Sequence, residues 1–322
     1  MRIAIFTDEI GWHTARLQRA LRERGCLGRC VDLAACRFDT NFAWHGLVIP
    51  GYGRELPDAA IVRGIAGGSF EQVTVRLGVL HALRELGVPV YNDARAIERS
   101  VDKSMTSFLL HLAGIPTPAA WTTESAASAR RIALREAALR RAVVQKPLFG
   151  SQGEGLAQAG AVGEKFVAPR DLAHYGGLAY LQRFEPATAP VGSGSAFDWR
   201  VLVIGGRAVT AMRRSSDHWI HNVAQGARCA AAPLQGSMLE VASIAEQAAA
   251  ALELDYAGVD LLPASDGSSP ATVIEVNGVA AWRGLQSVTA FDIARKLVDD
   301  LLTRKLGVLA RNSAQASRKH AA

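Results

Sequence analysis

Along the first ninety residues, apolar runs alternate with helical spacing in the way a small parallel α/β unit requires. Residues 2–7 read as a short apolar strand. Residues 12–24 carry apolar side chains at helical spacing and stop at Gly25, as a helix does at its C-terminal glycine. Residues 46–49 give a second buried strand, 70–86 a second helix ending at Gly87, and 88–91 a third strand.

Helical spacing returns over residues 102–112, then breaks at Gly114-Ile115-Pro116-Thr117-Pro118. The Ala- and Arg-rich residues 125–142 are helical by propensity. Beyond them the texture changes. Residues 143–146, 155–158, 178–184, 199–204 and 208–213 are short strand candidates separated by glycine, an α+β rather than a doubly wound pattern. A helix over 238–252 precedes strands at 258–262 and 272–276, and a last helix covers 290–302. No internal repeat is present.

Hydrophobic residues at 49% and charged residues at 20% of 322 fit an ordinary globular protein of two or three compact units. No stretch approaches the roughly 18 consecutive apolar residues of a membrane helix. The N-terminus lacks the basic, apolar and small-residue segments of a signal peptide, so a cytoplasmic location without a membrane partner is expected. Cys26, Cys30, Cys36 and Cys229 show no paired metal spacing and read as reduced thiols. The net charge of +6 does not imply a nucleic-acid partner. Arg311, Arg318 and Lys319 sit in an acid-free tail expected to be disordered, and the other basic residues form no stripe interleaved with aromatics. Only six of the 36 basic residues are lysines, so a lysine inside a motif marks a need for a compact charge.

Lys146 is such a lysine. It ends a strand and opens the loop Pro147-Leu148-Phe149-Gly150-Ser151-Gln152-Gly153-Glu154-Gly155. Closely spaced glycines let backbone N–H groups approach phosphate oxygens, and the lysine adds a point charge. The spacing is neither a Walker loop nor a dinucleotide fingerprint, and a glycine-rich hairpin remains the plain alternative. A second constellation is Asp260, Glu275 and Asn277 at the ends of two apolar strands. Glu275 and Asn277 share a strand face, and Asp260 joins them if the strands pair. Three oxygen donors without His or Cys suit magnesium, or manganese, held against phosphates. Between these lie Asp198-Trp199-Arg200, Arg213-Arg214 and Asn222, whose arginines read as anion binders or as structural ion pairs.

In order, the chain shows Asp102-Lys103, Gly114-Ile115-Pro116-Thr117-Pro118, Lys146-Pro147, Leu181-Gln182-Arg183-Phe184, Asp198-Trp199-Arg200, Ala211-Met212-Arg213-Arg214, Asn222-Val223-Ala224-Gln225-Gly226, Gly258-Val259-Asp260 and Glu275-Val276-Asn277. This series resembles the RimK-type ATP-grasp ligases, which attach glutamate to a ribosomal protein or a coenzyme. Asn222 to Gly226 and Trp282-Arg283-Gly284-Leu285-Gln286 are more similar to the branch acting on pterin or furan coenzymes.

The resemblance implies an ATP-grasp fold of the α/β and α+β kinds. A Rossmann-like pre-ATP-grasp domain would occupy 1–95, a central lid subdomain 96–184, and a C-terminal subdomain with the metal site 185–305, before the tail 306–322. It implies that Lys103 and Lys146 hold ATP phosphates under a lid containing Gly150, Ser151, Gly153 and Gly155. Gln182, Arg183 and Phe184 would form the hinge facing adenine, with Asp198 and Asn222 contacting the nucleotide. Asp260, Glu275 and Asn277 would bind magnesium, while Arg200 and Arg214 stabilise the phosphoryl group or the oxyanion. Trp282 reads either as a stacking platform or as packed core, and Arg283 either as a holder of an amino acid's α-carboxylate or as a surface residue.

Three departures from the family pattern stand out. Arg183 replaces a common Glu, the stretch 186–197 is long, and Ile220-His221 precedes Asn222 where Arg and Ser or Thr are usual. The implied reaction joins an amino acid to a small-molecule carboxylate through an acyl phosphate, in a homo-oligomer. Ribosomal-protein and lysine-pathway glutamate ligases share the motifs, and a non-catalytic ATP-binding regulatory module is the rival of another class.

Overall fold

The structure is a computed structural model and describes residues 1–150, 153–186, 196–264 and 269–307. Ser151, most of the long stretch after Phe184 and nearly all of the basic tail lie outside the described residues. The N-terminal unit contains β1 (Arg2–Phe6), α1 (Trp12–Glu23), β2 (Leu27–Val31), β3 (Arg37–Phe38), β4 (Leu47–Val48), β5 (Ala59–Val62), α2 (Phe70–Glu85) and β6 (Val90–Tyr91). Among the described residues, four of these strands form a parallel sheet in the order β2-β1-β5-β6. The sequence pattern did not show β2 or β5. β2 is an edge strand with exposed Leu27 and Arg29, and β5 is only four residues long. The start of α2 is fixed by a capping box, in which Ser69 accepts from the Gln72 amide and Gln72 bonds back.

Two short helices follow, α3 (Ala94–Val101) and α4 (Lys103–Leu112), capped by Asp93 and Asp102. The next unit holds β7 (Ala120–Thr123), α5 (Ala126–Ala138), β8 (Ala142–Lys146), β9 (Ala157–Val162), β10 (Lys165–Val167) and β11 (Ala179–Arg183). Its strands pair antiparallel in the order β10-β9-β8-β11-β7, with Ala129 and Ala133 of α5 against Val143, Ala159 and Leu181. The helix expected over 125–142 ends at Ala138. No glycine marks that end; Arg140 itself takes a positive φ of 56°, a conformation composition does not reveal.

The third unit contains β12 (Phe197–Ile204), β13 (Arg207–Ser215), β14 (Arg228–Ala231), α6 (Met238–Ala251), β15 (Tyr256–Pro263) and β16 (Ala271–Asn277), then α7 (Arg283–Ser287) and α8 (Ile293–Asp300). Its sheet is antiparallel in the order β14-β13-β12-β15-β16. The two faces alternate as a pleated strand demands. Val201, Val203, Val259 and Leu261 pack with Val241 and Ala245 of α6, and Ala96 and Leu110 of α3 and α4 enter the same core. Leu202, Ile204 and Tyr256 pack instead with Ile3, Ile5 and Leu17 of the N-terminal unit and with Leu297 of α8.

Asn92 fastens the N-terminal sheet to this third unit. Fully buried, it donates to Tyr256 O at 2.8 Å and Gly278 O at 2.6 Å, and its Oδ1 accepts from Asp255 N at 2.6 Å and Tyr256 N at 3.0 Å. Asn92→Ala strands four backbone groups away from water, so a loss of about 3 kcal/mol is expected. Thermal melting checks this; a Tm within a degree of the parent would place the fastening elsewhere.

Candidate functional site

The second and third sheets meet at a hollow lined by Lys103, Lys146, Gly150, Gly153, Gln182, Arg183, Phe184, Asp198, Arg214, Asn222, Asp260 and Glu275. These positions span more than half the chain, and every one was picked out by the sequence. Strand pairing brings them together. β8 delivers Lys146 opposite Tyr180 of β11, and Gln182 lies two positions further on, where its Oε1 accepts a 2.6 Å hydrogen bond from Lys146 Nζ. Lys103 opens α4, and its Nζ donates to Gly150 O at 2.9 Å, tying the glycine loop to the helix. The same ammonium lies 4.0 Å from Glu275 Oε1. Gly153 has φ +75°, and a Cβ there would come within 2.9 Å of Ile220 and 3.2 Å of Asn222 Oδ1. The loop therefore lies tightly on the Asn222 segment.

A buried charge network floors the hollow. In register, Asp198 faces Arg214, Arg200 faces Asp260, and Asp260 faces Glu275, with a bulge just after Asp260. Arg214 donates to both oxygens of Asp198, at 2.8 and 2.6 Å, and reaches Asp260 at 3.1 Å. Arg200 grips Asp260 through two bonds of 2.5 Å. Asp198, Arg214 and Asp260 are each at most 3% exposed. Burial opposes the charge on Asp260, but two guanidiniums outweigh it and hold the carboxyl below its usual range. Asp198 shares only Arg214 and faces the charge of Asp260; burial pushes it up to about 6. Arg200 and Arg214 are thus both ion-paired, and of the two only Arg214 lines the hollow.

Burial lowers Lys146 to about 8, offset partly by Glu275 and Asp260 and reinforced by Lys103. Lys103 is lowered by burial as well. A phosphate beside Lys146 restores the charge that burial disfavours, so ADP affinity is expected to fall as pH rises above about 8, approaching tenfold per unit. Without nucleotide the sign reverses. Between about pH 8 and the ordinary lysine value the unfolded chain binds the extra proton, so stability rises with pH. Calorimetric titration of ADP at pH 7, 8 and 9 checks the first statement. Lys146→Arg, which keeps its charge, flattens the profile; a flat profile in the parent would remove Lys146 from the phosphates.

Oxygen donors for a hard divalent cation are present in type and register. Asp260 and Glu275 are cross-strand partners, and Asn277 pairs opposite Gly258 on the same strand. The fit rests on Glu275, which is half-buried and whose nearest basic neighbour is Lys103; both oxygens of Asp260 are engaged by arginine, and Asn277 donates to Gly258 O at 3.3 Å. Among the described residues there is no cluster of three or more His, Cys, Asp or Glu side chains arranged for a metal, because only two of the three expected donors are carboxylates.

Among the described residues, five of the expected site residues do not line this hollow: Gly155, Arg200, Asn277, Trp282 and Arg283. Asn277 lies beside it rather than in its lining, and Trp282 is fully buried. The Trp282 ring meets His13 edge-on at 4.6 Å and carries the Arg63 guanidinium 4.4 Å above it, the packed reading of the two. Arg283 opens on a different hollow. Arg183 lines the wall but donates to Glu136 Oε2 of α5 at 3.0 Å, so the departure at the hinge is matched by a carboxylate on the neighbouring helix.

Residues the sequence reading did not assign also line the hollow. Trp219 stands edge-on to Phe184 at 5.7 Å. His221 is buried, its pKa lowered by burial and by Arg214, and its Nε2 has no hydrogen-bond partner among the described residues. An imidazole following an apolar residue carries no distinctive spacing, so only the departure from the family pattern could have flagged it. The cysteines are free thiols; burial raises Cys30 and Cys229 and pushes Cys36 up to about 12, which suppresses thiolate chemistry. Among the described residues no helix is long and apolar enough to cross a membrane.

Comparison with known proteins gives concordant matches. Residues 187–301 match the RimK-like ATP-grasp domain, and residues 1–97 match the RimK PreATP-grasp domain. A tetrahydromethanopterin:alpha-L-glutamate ligase of Methanococcus maripaludis is 34% identical over 245 residues, 76% of this chain and 78% of that one. A ribosomal protein bS6–L-glutamate ligase of Shigella flexneri is 29% identical over 307 residues, 92% of this chain and 94% of that one. Among solved structures, the ATP-grasp ligase PsnB, complexed with a precursor variant, Mg and ADP, superposes with a TM-score of 0.69 at 22% identity, covering 94% of this chain and 97% of that one. At that identity the likeness speaks for the fold.

Proposed function

From the premise that the chain belongs to the RimK-like ATP-grasp family and is an ATP-grasp ligase, we propose that it joins L-glutamate to a terminal carboxylate of a pterin-type coenzyme, with release of ADP and phosphate. The observation that carries this reading is the convergence of Lys103, Lys146 and Glu275 under one glycine loop, at the seam between two antiparallel sheets. Two part-buried ammoniums beside one carboxylate suit a polyphosphate accompanied by a divalent cation.

In this reading Lys146 and Lys103 bind the phosphates, and the loop from Gly150 to Gly155 shuts water out. Glu275, Asp260 and Asn277 would hold magnesium, or manganese, which supplies charge neutralisation on the polyphosphate. The acceptor carboxylate takes the γ-phosphoryl group and ADP leaves. The glutamate amine, as the free base, then attacks the acyl carbon; the C–O bond to phosphate breaks, and phosphate departs with the former carboxylate oxygen and the proton lost by the amine. Arg214, on the wall of the hollow, would stabilise negative charge that builds on the phosphoryl and acyl oxygens, with Arg200 behind it holding Asp260. Gln182, Arg183, Phe184 and Trp219 frame the adenine end, with Asp198 and Asn222 on the walls.

The coenzyme acceptor is supported by three methanogen relatives named tetrahydromethanopterin:alpha-L-glutamate ligase, at 28–34% identity. Incubation with ATP, Mg²⁺, L-glutamate and either a pterin coenzyme ending in a carboxylate or a peptide ending in glutamate separates the acceptors. Mass spectrometry is expected to find the coenzyme heavier by one glutamyl residue. Growth of the peptide alone would move the acceptor to the ribosomal type, and ADP release that no amino acid stimulates would favour a regulatory module.

A further inference from the structure

A second hollow, of about 300 Å³, lies on the N-terminal sheet and is lined by Thr7, Asp8, Glu9, His13, Arg63 and Arg283, together with the start of α1. Its position follows from topology. β1 ends at Phe6 and β5 at Val62, so Thr7 to Glu9 and Arg63 leave the carboxyl edge of a parallel sheet, where open α/β folds place their ligands. α1 turns its N-terminus, the positive end of its dipole, toward the same space. The far wall is Arg283, the first residue of α7.

The charges of this hollow are unspent. Asp8, Glu9, Arg63 and Arg283 each lack an ion pair among the described residues, although two carboxylates and two guanidiniums ring one small space. Arginines on the neighbouring surface behave otherwise: Arg16, Arg24 and Arg295 are all paired. Arg63 is not loose. It donates to Ala280 O at 2.8 Å and Tyr256 OH at 3.3 Å, and it stacks on Trp282, while its buried Nε has no partner among the described residues. His13 accepts the Trp282 amide at 3.1 Å through Nε2, which puts its proton on Nδ1. Burial, then Arg63 and Arg283, lower it to about 4, so the ring is neutral.

The hollow is coupled to the nucleotide site through the chain. The segment that brings Arg283 into place begins where β16 ends, at Asn277. Arg63 and His13 fix that segment at Ala280 and Trp282, and a Cβ on Gly284 would come within 3.3 Å of the Val223 side chain, next to Asn222 of the first hollow.

We propose that this hollow binds the amino-acid nucleophile, an acidic α-amino acid, with its carboxylates on Arg63 and Arg283 and its ammonium between Asp8 and Glu9. The assignment rests on the ligase reading above and gives that reading its second substrate site. It also gives Trp282 a role suited to its burial, as the platform that sets the Arg63 guanidinium. A dicarboxylic amino acid carries two anionic groups and one cationic group, which is the complement these walls offer; an uncharged side chain leaves one guanidinium without a partner.

The test is binding of L-glutamate and of ADP to the full chain by calorimetry, for the parent, Arg283→Gln and Asp8→Asn. Both substitutions are at exposed positions that make no ion pair, so folding survives and melting curves verify it. The expected result is at least a tenfold loss of glutamate affinity in each variant with ADP affinity within twofold. Glutaric acid, which lacks the ammonium, should bind the parent more weakly than glutamate and lose little further in Asp8→Asn. Glutamate affinity unchanged in both variants overturns this site and leaves the ligase reading standing. Retained glutamate binding in a parent whose ADP release no amino acid stimulates overturns the ligase reading instead.

Discussion

Glu275→Gln is expected to lower turnover by at least roughly a hundredfold, about 3 kcal/mol of transition-state stabilisation, while leaving the fold intact. Glu275 faces Asp260 across the β15–β16 ladder, lines the hollow proposed to take the nucleotide, and lies 4.0 Å from Lys103. Its carboxylate is the one of the pair not already gripped by arginine. The amide keeps shape and hydrogen-bonding reach but loses the charge, and a small cation that demands near-octahedral oxygen geometry tolerates few ligand defects. Both part-buried lysines also lose their main compensating charge, so they become harder to keep protonated. Phosphate release across a magnesium titration measures the effect, with melting as the folding control. Near-normal turnover at low magnesium would move the metal away from β16.

Arg214→Leu is expected to produce the largest loss of stability, about 3–5 kcal/mol at neutral pH. Arg214 is 2% exposed and serves both Asp198 and Asp260, so its removal leaves one buried carboxylate without a partner and weakens the other's hold. The pH dependence has a definite sign. Asp198 already stands at about 6, above its usual value, so the folded chain binds its proton more readily than the unfolded chain. Stability from this group is present at low pH and is lost as pH rises toward that value. Without Arg214 the window extends upward, so the deficit of the variant should be larger at pH 8 than at pH 5. Urea melts at the two values measure it; a deficit below 1 kcal/mol at both would show that the network contributes little.

The sequence made most of the lining of the proposed nucleotide hollow legible because its members sit in short, chemically unusual runs. A lysine before three glycines, or a carboxylate at the end of an apolar strand, stands out in a chain that otherwise prefers arginine. Strand pairing then placed Asp260 against Glu275, as expected if the two strands pair, and it also set Lys146 beside Gln182, which no spacing implied. Pairings between elements far apart in the sequence were not legible. The match of Arg183 to Glu136 depends on how α5 packs on its sheet, and that of Arg200 to Asp260 on which strands become neighbours. The second hollow was hidden for the same reason. Asp8, His13 and Arg63 are ordinary residues in loops of the N-terminal sheet, and only the fold brings them to Arg283. Trp282 read in sequence either as a stacking platform or as packed core, and the structure buries its ring against His13 and Arg63.

The central claim, ligation through an acyl phosphate, is tested most directly by isotope transfer. A pterin coenzyme labelled with ¹⁸O in its terminal carboxylate is incubated with the protein, ATP, Mg²⁺ and L-glutamate, and the phosphate is analysed by mass spectrometry. The account predicts one ¹⁸O in each phosphate released, formed together with ADP and with one glutamyl residue added to the coenzyme. Unlabelled phosphate beside a glutamylated product, or label appearing in AMP, would contradict it.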